Sequence, residues 1–162
     1  MMLANQEGNK LRILDFLDPA SVVVDLKAAT KRAVVEELVG LLGKTGKIVD
    51  PVKTLEVLME REKLGSTGIG QGIAIPHAKT DQCKEVVAAF GLSRRGVNFD
   101  ALDGELVHIF FLLVAPPDAA GTHLKALARI SRLLKDKFFR QSLRDVKNTE
   151  DVLKLIREED RF

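Results

Sequence analysis

Tryptophan and tyrosine are absent, and the aromatic residues are eight phenylalanines. The indole and phenol faces on which proteins stack sugars and bases are missing, which disfavours direct sugar binding. One cysteine, Cys83, excludes an internal disulfide and suits a reducing compartment. An excess of charge of either sign is also lacking: 25 basic against 23 acidic residues leave +2, spread along the chain, so nothing calls for nucleic acid as a partner. The basic clusters Arg94-Arg95 and Lys135, Lys137, Arg140 and Arg144 read as a turn and a solvated helix face. No apolar run approaches the roughly 18 to 20 residues of a membrane span, and Met1 to Lys10 is too polar for a signal peptide. The expectation is a cytoplasmic protein without direct membrane insertion.

What is present is apolar content: 46% of 162 residues, enough to build one substantial core, so residues 1–162 are expected to form a single domain. Leu11 to Leu17 reads as a short ordered lead-in, and Ser21 to Leu26 as the first strand. Thr30 caps a helix through about Leu42, with Val34, Leu38 and Leu41 at helical spacing and Gly43 as its stop. Asp50 followed by Pro51 opens a second helix, with Val52, Leu55 and Leu58 facing inward and Arg61 in its last turn. Apolar runs at Ile73 to Ile75, Val86 to Ser93 and Leu106 to Val114 read as strands of a buried sheet. Asn98-Phe99-Asp100 and Asp103-Gly104 mark turns. Thr122 starts a helix with Leu124, Leu127, Ile130 and Leu134 near one face; Asp136 opens another, and Asn148 caps the last. This order of elements predicts the α/β class, a sheet covered by helices.

The densest chemistry lies between Arg61 and Lys79, REKLGSTGIGQGIAIPHAK. Pro76 fixes the backbone just before His77, so the imidazole is presented on a rigid edge. Gly65, Gly68, Gly70 and Gly72, with Ser66 and Thr67 among them, allow close backbone approach and can aim amides and hydroxyls at an anion. Neutral imidazole is a competent nucleophile near neutral pH, and its phosphorylation yields a phosphoramidate that can pass the group on. His123 stands where a helix begins, a place that favours an anion and a neutral ring. From residues alone the favoured reading of His77 is a structural histidine satisfied by backbone, and that of Arg61 a surface residue paired with Glu60 or Glu62. The dinucleotide fingerprint lacks its strand-before and helix-after context, and the Walker A pattern lacks its Gly-Lys-Ser/Thr ending.

The same run, with a second block from Asp100 to Ser131, DALDGELVHIFFLLVAPPDAAGTHLKALARIS, resembles the enzyme IIA domains of the fructose/mannitol class of the bacterial phosphoenolpyruvate-dependent phosphotransferase system. The likeness extends from about Leu14 to about Ile156 and is closest to the nitrogen-regulatory branch. It implies a three-layer α/β/α sandwich around a central mixed β-sheet. It also implies His77 as phosphoryl acceptor, His123 beside it and Arg61 in the site, with Ser66, Thr67, Gly68 and Gly70 as phosphate-binding loop residues. The implied upstream partner is HPr or a nitrogen-branch HPr-like carrier, and the downstream partner is a regulatory target protein or a IIB domain. No cofactor or metal is implied. Ala78 departs from the glycine common after the histidine in the family.

Four readings are compatible with these residues. A regulatory phosphocarrier leads, on the GSTGIG run and the freestanding chain. A sugar-uptake IIA passing phosphate to a IIB domain is its alternative. A zinc hydrolase built on His77, His108 and His123 lacks any HxxxH or HxH pair. A module that only binds partners would have no use for the His77, His123 and Arg61 set.

Overall fold

The computed structural model describes residues 11–161. Its described elements begin with a single helical turn, α1 (Ile13–Phe16), which runs directly into β1 (Leu17–Val23). Then come α2 (Lys31–Lys44), α3 (Pro51–Lys63), and the short strands β2 (Gly68–Gly70), β3 (Ile73–Ala74) and β4 (His77–Lys79). The long strands β5 (Val87–Val97) and β6 (Val107–Ala115) follow. A 3-10 turn (Pro117–Ala119) leads into α4 (Ala120–Leu134), α5 (Lys137–Arg144) and α6 (Thr149–Glu159).

The sheet order is β1-β5-β6-β3-β2, with β4 also on β6. It is mixed: β1 is parallel to β5, β5 antiparallel to β6, and β3 and β4 both parallel to β6. Ile73 pairs with Ile109, and His77 with Leu113. These two short strands therefore form one broken strand along β6, interrupted at Ile75-Pro76 because proline cannot donate to a ladder. The Pro76 carbonyl still accepts from the Leu113 amide at 2.9 Å, which holds the break against β6.

Side chains leave the two sheet faces for two apolar cores. On one face Ile73, Ile75, Phe90, Phe111 and Leu113 pack with α1, α4, α5 and α6; on the other Ala74, Ala78, Phe110, Leu112 and Val114 pack with α2 and α3. The result is the three-layer α/β/α sandwich with a mixed central sheet that the sequence resemblance implies. Along the broken strand, Ala78 joins the α2/α3 layer, so alternation sends His77 to the opposite face, toward α4.

Several local expectations are corrected. The first strand begins at Leu17 rather than Ser21, because pairing of Leu17 with Ala88 draws the chain into the sheet four residues early. The Asp18-Pro19 pair then lies on an edge strand, where proline is tolerated. Gly43 lies inside α2 and does not stop it. A Cβ there would come within 2.9 Å of Pro51 Cγ, so this glycine is required by the close approach of α2 to the start of α3. The turn comes at Gly46, with φ +75. Val52 points to solvent, 66% exposed, since the inward stripe of α3 is Thr54, Leu55, Leu58 and Glu62. The helix expected from Thr122 opens at Ala120, and its Leu124 is 68% exposed while His123, Ala126, Ile130 and Leu134 face inward.

Candidate functional site

The broken strand and the first turn of α4 bring His77 and His123 together. Their ring centroids are 5.8 Å apart, with the planes at 75°, an edge-to-face arrangement. His77 Nδ1 lies 2.7 Å from the Ile75 carbonyl oxygen. A carbonyl oxygen only accepts, so Nδ1 carries the proton and the lone pair of the neutral ring falls on Nε2.

His123 is 5% exposed, and its Nε2 is buried without a hydrogen-bond partner. An unsatisfied buried nitrogen costs about 1–3 kcal/mol, a cost that native proteins tend to retain only where the group has a use. Burial pushes the His123 pKa below its ordinary value, and the nearby His77 and Lys79 push it further the same way. Lys79 stands two residues beyond His77 on β4, hence on the same side of the strand. The ring beside His77 is thereby kept neutral, with an N–H to donate and a lone pair to accept.

Arg61 sits in the last turn of α3, which packs on β4 from the other layer. Its Nη1 donates to the Gly65 carbonyl at 2.9 Å rather than to Glu60 or Glu62. One of a guanidinium's five N–H donors is thus used.

The glycine loop turns its donors inward. Ser66 Oγ donates to the Phe99 carbonyl at 2.7 Å and accepts from the Gly68 amide at 3.0 Å. The Thr67 amide and hydroxyl both donate to the buried Glu62 carboxylate. Gly70, at φ +99, ends β2, and a Cβ there would sit 3.1 Å from Asp103 Oδ2. The same carboxylate accepts from the Gln71 amide at 2.9 Å, and this contact and one from the Glu105 amide hold the Asp103 carboxyl below its usual pKa. Ser66, Thr67, Gly68 and Gly70 therefore lie beside the broken strand that carries His77, with the Ser66 and Thr67 hydroxyls and the Thr67 and Gly68 amides engaged within the protein.

His108 is not brought to the pair. It lies five residues before Leu113 on β6, roughly 16 Å along the strand, and its Nδ1 donates to the Ser93 carbonyl at 2.9 Å. That separation removes the three-histidine zinc arrangement. The sequence reasoning missed Glu62, although Leu55, Leu58 and Glu62 fall on one helical stripe and a charge on a buried stripe is a signal in itself. It also missed Lys79. Among the described residues, no helix is long and apolar enough to cross a membrane.

Comparison with known proteins gives the same frame. Residues 15–159 match the family described as "Phosphoenolpyruvate-dependent sugar phosphotransferase system, EIIA 2". The chain is 36% identical over 151 residues to the fructose-specific EIIABC component of Bacillus subtilis, covering 93% of this chain but 24% of that much longer protein. It is 36% identical over 148 residues to a nitrogen regulatory protein of Bradyrhizobium diazoefficiens, covering 89% of this chain and 94% of the relative. The crystal structure of nitrogen regulatory protein IIA-Ntr from Neisseria meningitidis superposes with a TM-score of 0.82 at 36% identity, over 88% of this chain and 97% of that one. With the sandwich formed and the family pattern spanning nearly its whole length, the chain belongs to the type-2 EIIA family of the phosphoenolpyruvate-dependent sugar phosphotransferase system.

Proposed function

We propose that this chain, as one type-2 IIA domain over residues 1–162, is a cytoplasmic histidine phosphocarrier. It accepts a phosphoryl group on His77 from a histidine-phosphorylated HPr-like protein, and its phosphorylation state controls partner proteins. The observation that carries the reading is the imidazole pair: a tautomer-locked His77 presenting Nε2, edge to face with a buried neutral His123. In the step, the Nε2 lone pair forms a bond to phosphorus, the bond from phosphorus to the carrier's ring nitrogen breaks, and that electron pair returns to the carrier's ring. The proton stays on Nδ1, hydrogen-bonded to the Ile75 carbonyl, throughout. Such a transfer needs in-line positioning and donors for three equatorial oxygens. His123 Nε2 can supply one, and the uncommitted N–H groups of Arg61 can supply charge-assisted ones. In this reading the glycine loop shapes the site, since the Ser66 and Thr67 hydroxyls and the Thr67 and Gly68 amides already have partners.

Support for a regulatory output comes from the nitrogen regulatory relatives, one of which this chain covers almost end to end. Equal identity to a fructose-specific component supports a second reading, delivery of the phosphoryl group to the cysteine of a IIB domain. The test is phosphoryl transfer from phosphoenolpyruvate through enzyme I and candidate carriers, read by intact mass on the wild type, His77→Gln and His123→Gln. One phosphoryl group gained by the wild type and lost with His77→Gln is the expected result. Undiminished gain in His77→Gln removes the assignment. Adding IIB domains of fructose type separates the two outputs, because only the uptake reading has the group leave His77 for that cysteine.

A further inference from the structure

Beneath the glycine loop lies a buried ionic group for which phosphoryl transfer itself has no use. Glu62 is 6% exposed, and its carboxylate pairs with Lys31 Nζ at 2.8 Å. Lys31 in turn lies over the Phe99 ring, 4.9 Å from its centroid, and reaches Asp100 at 3.8 Å. Both Glu62 oxygens accept the Thr67 amide at 3.2 Å, and one also accepts the Thr67 hydroxyl. From Thr67 the bonds continue toward the acceptor: the Thr67 carbonyl takes the Ile75 amide at 3.0 Å, and the Ile75 carbonyl takes His77 Nδ1 at 2.7 Å. Lys31 on α2, Glu62 on α3, Thr67 in the loop, Ile75 in the strand break and His77 on β4 thus form one uninterrupted run of polar contacts.

Breaking a buried pair by removing one partner leaves an uncompensated charge, so such groups are usually absent unless something depends on them. Here the dependent part is the orientation of residue 75. Its amide and its carbonyl belong to different peptide units, so the coupling is mechanical, not a polarisation passed through one conjugated group. The hydrogen bond from the Ile75 amide to the Thr67 carbonyl sets the φ of Ile75, Pro76 restricts the rotation that follows, and together they aim the carbonyl that fixes the His77 proton. Resting on the phosphocarrier reading, and deepening it, we infer that Glu62 is a positioning residue for the phosphoryl acceptor, holding His77 in its Nδ1-protonated form through Thr67 and Ile75. It touches neither the incoming group nor a partner surface, so its effect falls on the chemical step and not on carrier binding.

Two variants test this. Glu62→Gln keeps the shape but gives one acceptor oxygen in place of two to the three donors from Thr67 and Lys31. Thr67→Val keeps the hydrogen bond from the backbone amide to Glu62 and removes only that of the hydroxyl; Thr67→Ser restores it. Nitrogen-15 shifts of the His77 ring report the tautomer without any transfer, and steady-state transfer from a phosphorylated carrier separates kcat from KM. The expected outcome is a wild-type His77 protonated on Nδ1, a mixed tautomer in Glu62→Gln and Thr67→Val, and recovery in Thr67→Ser. In both impaired variants kcat falls about ten- to a hundredfold, as for a displacement near 1 Å, with KM for the carrier unchanged. Folded variants with the wild-type tautomer and kcat, merely less resistant to urea, overturn the inference. So does a wild-type His77 protonated on Nε2. If the wild type takes no phosphoryl group, the phosphocarrier reading fails, and the nitrogen-15 comparison still decides the role of Glu62.

Discussion

His123 concentrates the electrostatics of the site in one ring. Its pKa is depressed, so the folded state resists protonation that the unfolded chain accepts at the ordinary value of 6.5. Above that value both states are neutral and no difference arises. Below it the unfolded chain binds the extra proton first, so stability falls with falling pH until the folded pKa is reached. Urea unfolding at pH 7.5 and pH 5.5 should therefore show a loss on acidification that is smaller in His123→Gln. An equal loss in the variant assigns the acid sensitivity to other groups. The same depression means that rising acidity does not readily convert His123 into a cation beside His77, which preserves its lone pair over the neutral range. At this scale the sequence exposed His77, His123 and Arg61 as residues, while the orphaned Nε2 and the bond from Nδ1 to Ile75 are properties of placement alone.

Among the elements, α3 carries Arg61 and Glu62 and packs on the strand of His77. Asp50 caps it, its carboxylate accepting the Lys53 amide at 3.1 Å, and Pro51 takes the first helical position. Asp50→Ala should cost about 1 kcal/mol in denaturant unfolding. Transfer to His77 should stay close to wild type, since the cap lies at the far end of the helix from Arg61. A large kinetic loss without a stability loss contradicts this division of labour. The cap and proline make the start of α3 legible in the residues themselves, as Asp136 and Asn148 do for α5 and α6. The first strand is harder to read: Asp18-Pro19-Ala20 carries turn-forming residues, and only pairing with β5 makes it a strand.

Over the whole molecule, one sheet separates two cores, each with an edge-to-face phenylalanine pair. Phe90 and Phe111 lie on the α4 side with centroids 5.1 Å apart, and Phe99 and Phe110 lie on the α3 side at 5.4 Å. Phe110→Ala and Phe111→Ala should each destabilise by about 3–5 kcal/mol. Cys83 reports whether the layers open together. It is buried in the α3-side core, and burial pushes its thiol up to about 11. At pH 8 on the order of one thiol in a thousand would be ionised, so native labelling should be slow. If the sheet is a single cooperative unit, Phe111→Ala speeds Cys83 labelling as Phe110→Ala does. Acceleration by Phe110→Ala alone would mean that the two layers open separately.

By itself the sequence determined what depends on local chemistry and on pattern. The caps of α3, α5 and α6, the apolar runs of β5 and β6, the proline that rigidifies the chain before His77 and the two-block likeness to the EIIA domains can all be read from neighbouring residues. What only the tertiary structure decided depends on which segments pack together. Alternation about the broken strand sends His77 to the α4 face, the short turn Pro117–Ala119 starts α4 early enough to bury His123, and α3, which carries Arg61, packs on β4 from the opposite layer. The inward direction of the loop donors likewise follows from Glu62 and Phe99, which lie 5 and 33 residues from their partners Thr67 and Ser66. A hydrogen bond depends on angles and ångströms, and pattern in one dimension carries neither.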